Sequence, residues 1–254
     1  MTITCKNCHH SFKGSYCYHC GQSAETHEIN FHFMWHDIEH GLLHLDKGIF
    51  FTIKELFSRP GQSIREFIEG KRVRHFKPIS LVIVLAGIYG FLYHYFDIRL
   101  LQANVVFNGQ GKEVEEYRRM LESVNQWIGS HYAIVALAQV PLYAVGTFLA
   151  FRKRGYNFAE HLVLNAFLTG QKLLVYILAF PLTYFYNGDM ALRTIDGYLN
   201  LIGFSLFFWT LFTFFPSQPK LGTFWRILLS LFIFLVLYIS LAALTGFLIV
   251  KSGN

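Results

Sequence analysis

Five stretches of this chain stay apolar for about twenty residues each, and that limits its fold more than any other feature. They are Pro78 to Phe96, His131 to Phe151, Leu162 to Tyr186, Tyr198 to Phe215 and Phe224 to Val250. A helix rising about 1.5 Å per residue needs about 20 residues to cross roughly 30 Å of hydrocarbon, so each stretch is read as a transmembrane helix. The charges are distributed to match. Residues 1–77 hold 10 of the 22 Lys and Arg, 8 of the 16 Asp and Glu and 9 of the 12 His. The expected fold is an all-α polytopic membrane domain over residues 78–254, preceded by a polar N-terminal part. Membrane lipids are its surroundings. The net charge of +6 lies beside hydrophobic segments and all four cysteines fall within the first 20 residues, which argues against a nucleic-acid-binding protein and against a secreted disulfide scaffold.

Lys and Arg in short loops resist translocation and set the orientation. Lys71, Arg72, Arg74 and Lys77 precede the first span, and Arg152, Lys153 and Arg154 follow the second, which places both clusters in the cytoplasm. The segments Asp97 to Ser130 and Asn187 to Gly197 mix both signs of charge and fit the outer side. Five crossings then leave the N-terminus inside and Lys251 to Asn254 outside. Met1 to Gln22 has no apolar core of signal-peptide length, so the first span is expected to target the chain, with the bacterial inner membrane as destination.

Cys5, Cys8, Cys17 and Cys20 form C-x2-C-x8-C-x2-C. Two such turns can offer four thiolates to one ion in closed tetrahedral coordination, the arrangement of a structural Zn2+ site. The cytoplasmic side disfavours disulfides, and no βαβ context supports a thioredoxin-type pair. Residues 1–24 are therefore read as a zinc ribbon, folded by its metal because so short a module buries no core of its own. Gly21 suits the positive φ of the second knuckle; His9 holds the equivalent place in the first. Only Lys6 and Lys13 are basic within the ribbon, so its expected contacts are a protein partner at the cytoplasmic face or its own membrane domain.

Residues 28–77 are read as a cytoplasmic amphipathic linker. Phe31, Met34, Trp35, Ile38, Leu42, Leu45, Ile49, Ile53 and Leu56 share one helical face, which would lie on the inner bilayer surface or under the spans. Pro60-Gly61 ends that helix, Ser63 with Glu66 makes a capping box for a second short one, and Gly70 caps its end. On the opposite face His32, His36, His40 and His44 recur every four residues. His36, Glu39 and His40 match H-x-x-E-H, a pattern of one metalloprotease group and a second-metal candidate. The solvated polar face is the reading favoured here, because the large soluble domain of those proteases is absent.

The third span carries Lys172 well inside its apolar length, where a charge must face protein or water. His161, Asn165, Thr169 and Lys172 follow at helical spacings and form one polar stripe, with Glu160 and Gln171 at its edge. Two readings stand: polar glue between helices, or a ligand or ion site built from Glu160, His161, Asn165 and Lys172. A register with residues 158–171 interfacial is a further alternative. His94, Gln139 and Asn200 read as packing or interfacial groups.

The ordered set Cys20-Gly21-Gln22, His44-Leu45-Asp46-Lys47-Gly48 with Thr52, Arg59-Pro60-Gly61, Gly70-Lys71-Arg72, Pro78, and Glu160-His161-Leu162 with Asn165 and Gly170-Gln171 resembles an uncharacterised bacterial family, abundant in Bacteroidota, of multispanning membrane proteins with an N-terminal zinc ribbon. The resemblance implies a ribbon joined to a helical bundle and implies no activity. With no evident nucleophile, phosphate loop or catalytic metal triad, the expected function is non-enzymatic: an inner-membrane protein, alone or as a homo-oligomer, whose ribbon docks a partner or organises the bundle. The alternative is a lipid-handling or small-solute transport protein that uses the polar stripe.

Overall fold

The computed structural model describes residues 2–26, 29–30, 48–96, 111–186 and 189–252. Among them the only sheet is a two-stranded antiparallel ribbon, β1 (Ile3–Thr4) with β2 (Ser11–Phe12), in which Ile3 pairs with Phe12. The rest of the regular structure is helical: α1 (Gly48–Ser58), α2 (Pro60–Ile68), α3 (Pro78–Tyr95), α4 (Lys112–Ser130), α5 (Tyr132–Ala150), α6 (Phe158–Phe185), α7 (Asp189–Phe214) and α8 (Lys220–Ser252). Five of these, α3 and α5 to α8, are long and apolar enough to cross a membrane. The chain is thus an all-α multi-pass membrane protein with a small N-terminal ribbon.

The histidine-bearing part of the linker, including His36, Glu39 and His40, lies outside the described residues. Where the amphipathic helix is described, as α1, its apolar face meets the bundle: Leu56 is fully buried, and Ile49 and Ile53 pack on the same core. The boundary after it differs from the expected one. Pro60 takes the first helical position of α2 after Arg59, a place where its missing N–H costs nothing. The helix therefore starts three residues before Ser63, and the Ser63–Glu66 capping box does not form. Ser63 is an interior, buried residue whose Oγ lies 2.9 Å from His75 Nε2. Glu66 instead accepts from Arg59 Nη1 and from Gln62, each at 3.2 Å. At the other end Gly70 has φ +105°, and the bonds Gly70 N–H to Phe67 O and Lys71 N–H to Glu66 O make the left-handed Schellman termination that glycine permits.

α6 is the central helix. Between Ala159 and Leu174 it is buried on nearly every side, polar residues His161, Asn165 and Gln171 included, with α3, α5 and α7 against it and α8 against α5. Phe67 of α2 packs edge-on to Phe167 of α6 at 5.3 Å. The acidic and basic segment after α3, read from its charge as an outer loop, contains α4. Its described residues are mostly exposed and its sequence is rich in charged and polar side chains, so no apolar run announced it.

Candidate metal centre and intramembrane cavity

The ribbon brings the four cysteines together. Cys5 Sγ and Cys20 Sγ are 3.5 Å apart, Cys8 Sγ and Cys17 Sγ 3.6 Å, and all four ligand atoms lie within 4.8 Å of one another. A tetrahedron of thiolates at about 2.3 Å from a metal has edges of about 3.8 Å, so the spacing fits one ion with no further opening; it is far longer than a disulfide bond. The geometry comes from two matching knuckles. Cys5 N–H donates to His10 O and His9 N–H to Cys5 O; Cys17 N–H donates to Gln22 O and Gly21 N–H to Cys17 O. The residue after each second cysteine takes positive φ, 59° at His9 and 76° at Gly21, so histidine tolerates the place that glycine fills without strain. The thiols divide sharply. A backbone hydrogen bond at His10 lowers Cys8, but burial and the neighbouring cysteines outweigh it and push it up to about 12. Burial raises Cys20, but hydrogen bonds to Asn7, the Gln22 backbone, Cys5 and Cys8 pull it down to about 6. Four thiolates at this spacing need a cation to coexist.

The ribbon is tied to the bundle. Gln22 Oε1 accepts from the backbone N–H groups of Arg72 and Val73 at 3.3 and 3.1 Å, and Lys6 Nζ donates to Thr26 O at 3.2 Å beside Gly70. Further on, Ile29 is buried in the helical core and its carbonyl accepts from Asn157 Nδ2 at 3.1 Å, at the start of α6. Gln22 enters the sequence reading only as part of the Cys20-Gly21-Gln22 motif, with no role, and Asn157 not at all, since an amide at a span boundary carries no pattern of its own.

The polar stripe of α6 divides among four places, of which the Lys172 cavity is the last. Glu160 belongs to the helix start: its Oε2 accepts from Asn157 N–H at 2.7 Å, while Asn157 Oδ1 accepts from Glu160 N–H at 2.9 Å, a complete capping box. His161 and Asn165 turn toward α5. Thr147 Oγ1 lies 3.0 Å from His161 Nδ1 and accepts from Asn165 Nδ2 at 2.8 Å, and all three residues are buried. Gln171 turns toward α1 and α7, donating to Leu56 O at 2.7 Å and accepting from Thr210 Oγ1 at 3.2 Å. Glu160, His161 and Lys172 therefore do not converge.

Lys172 and Asn165 share a cavity of about 70 Å³, lined also by Thr169, Gln171, Asn200 and, from four helices in all, a mostly apolar wall. Lys172 Nζ stands 5.6 Å from the centroid of the Tyr176 ring. Tyr176 OH donates to Asn200 Oδ1 at 3.3 Å, and Asn200 Nδ2 donates to Asp196 Oδ2 at 3.0 Å. Asn200, read from sequence as packing, is thus part of the Lys172 surroundings; the fourth span returning antiparallel beside the third places it there, which no local spacing could reveal.

Residues 46–90, covering α1, α2 and most of α3, match a protein family of unknown function, DUF3667. No curated protein and no solved structure matches the chain.

Proposed function

We propose that this is a bacterial inner-membrane protein whose ribbon, loaded with structural Zn2+ through Cys5, Cys8, Cys17 and Cys20, organises the cytoplasmic face of the bundle and offers a docking surface to a protein partner. One observation carries the reading: Gln22, two residues beyond Cys20, holds the backbone of Arg72 and Val73 just before the first span. Zn2+ suits four closed sulfur ligands, and its binding energy supplies the folding that so small a module lacks. Tyr16 and Tyr18, 68% and 74% exposed, give the ribbon an aromatic outer edge of the kind partners bury. The N-terminus lies in the cytoplasm and the C-terminus outside, and a homo-oligomer is compatible with the reading.

Metal analysis of the purified full chain tests it, together with limited proteolysis and affinity purification from native membranes. About one zinc per chain is expected. Cys17→Ser/Cys20→Ser should lose it, expose residues 70–77 to protease and release the partner, while the spans stay helical. A metal-free variant with unchanged proteolysis and unchanged partners would remove the proposal.

A second reading, ligand binding within the membrane for lipid handling or solute transport, is favoured by the cavity around Lys172. Lys172, Asn165 and Asn200 would be its polar groups, while Glu160 and His161 serve the helix cap and the α5 contact.

A further inference from the structure

We infer that the Lys172 cavity binds the anionic group of a single-chain amphiphile, a carboxylate or phosphate carried on an acyl chain. This rests on the ligand-binding reading and adds the chemistry of the ligand. Lys172 is the single charged residue of the lining. Among the described residues no carboxylate lies within 4.0 Å of its Nζ and no oxygen accepts a hydrogen bond from it; the Tyr176 ring face at 5.6 Å is its neighbour. An ammonium carries three donors, and leaving them unmade away from water is costly. Of the nearby polar groups Asn200 is committed to Tyr176 and Asp196, and Gln171 to Leu56 and Thr210. Among the described residues Asn165 Oδ1 on the same lining has no partner, and the Asp196 carboxylate acts on the amine only from beyond contact distance. An incoming oxyanion would take charge-assisted bonds in a low-dielectric setting, where they are strongest.

The wall fixes the remainder of the ligand. Leu168, Phe204, Leu206, Phe207 and Leu231 are apolar, and Phe204 both lines the cavity and is 53% exposed on the outer surface of α7, beside the 61% exposed Leu201. Phe204 therefore lies between the cavity and the lipid-facing side of α7, which is the side from which an amphiphile would enter. At ~10–15 Å³ per water-sized site, a cavity of about 70 Å³ takes a carboxylate or phosphate with its first carbons and leaves the remaining chain to pass between the helices.

The test uses the full-length protein in nanodiscs of zwitterionic lipid, labelled with diazirine-bearing palmitate and, separately, with its neutral alcohol analogue, and mapped by mass spectrometry. Palmitate should label peptides of α6 and α7, with competition from oleate and lysophosphatidate at least ten-fold stronger than from oleyl alcohol, and none from inorganic phosphate. Lys172→Met should cut labelling at least ten-fold and Lys172→Arg should keep it. Gly203→Val keeps the amine but fills space, since a Cβ there meets only Lys172 Cγ at 3.9 Å; it should also cut labelling, and it decides the matter if Lys172→Met misfolds. Equal competition by oleyl alcohol, or labelling indifferent to Lys172→Met, overturns the anionic chemistry and leaves the ligand-binding reading standing. Protection by inorganic phosphate overturns the amphiphile. Absence of label in α6 and α7 from both probes overturns the ligand-binding reading itself.

Discussion

Gly61→Ala pits two effects of opposite sign against each other. Gly61 lies in the first turn of α2, and helix propensity alone predicts that alanine stabilises it by ~1 kcal/mol. The structure predicts the reverse. A Cβ at Gly61 would stand 2.2 Å from Phe214 N, 2.3 Å from Thr213 C and 2.5 Å from Thr213 Oγ1. Two of these are backbone atoms at the end of α7, so no rotamer change relieves the clash. Restoring a normal contact of ~3.5 Å moves α2 away by about 1.3 Å, which breaks the Gly61 N–H bond to Thr213 Oγ1, now 3.2 Å, and strains the Arg65 bonds to the Thr213 and Phe214 carbonyls. Overpacking costs ~1–3 kcal/mol, the neutral bond ~0.5–1.5 and a weakened charged bond ~1.5–3. Packing therefore exceeds propensity by ~2–6.5 kcal/mol, which at ~2–4 °C per kcal/mol lowers the midpoint of heat-induced aggregation in detergent by at least ~4 °C, measured at one scan rate. Gly87→Ala, whose Cβ meets nothing within 4 Å, is the control and should match or slightly exceed the parent. A Gly61→Ala protein that melts with Gly87→Ala would refute the close approach of α2 to α7.

Thr147→Val should lower thermal stability by ~2–4 kcal/mol, because it strands the buried His161 and Asn165 side chains together, whereas Thr147→Ser should stay within ~1 kcal/mol of the parent. Burial holds His75 below the ordinary histidine range, so as pH falls through ~6.5 the unfolded chain takes up a proton that the folded one resists, and stability declines. His75→Gln should flatten that decline between pH 6.5 and 5 in the same melting assay. A C-terminal alkaline phosphatase fusion should be active and a C-terminal green fluorescent fusion dark, as five crossings from a cytoplasmic head require.

The spans and the ribbon were legible because each is a repeated local signal: twenty apolar residues for a crossing, two Cys-x-x-Cys turns for a metal. The start of α2 was misread because Ser63 and Glu66 satisfy a capping pattern three residues into a helix that Pro60 had already begun. The polar stripe was legible as a stripe but not as a set of destinations. Helical spacing places His161, Asn165 and Gln171 on α6; which of them meets Thr147, Leu56 or Thr210 depends on the neighbours around a central helix buried on nearly all sides. The partners Thr147 and Asn200 sit in other spans, where a single hydroxyl or amide carries no periodicity.

Those destinations share one physical cause. Helix ends brought against the bundle expose carbonyl and amide groups that have no water to meet, and most of the unexpected polar residues answer that need. Gln171 holds the Leu56 carbonyl near the end of α1, Arg65 holds the last carbonyls of α7, Arg226 donates to Ala150 O at the end of α5 at 2.7 Å, and Asn157 with Glu160 closes the start of α6. Arg65 and Arg226 also place positive charge at helix C-termini, where the dipole favours it, so their positions follow from helix ends as much as from membrane orientation. Lys172 fits none of this. It lies about 21 Å along α6 from Phe158 at 1.5 Å per residue, far from any helix end, and its amine serves no backbone group among the described residues. The group that answers its charge is the Asp196 carboxylate on α7, held beside it through Asn200, so Lys172 pairs spans rather than closing a helix end.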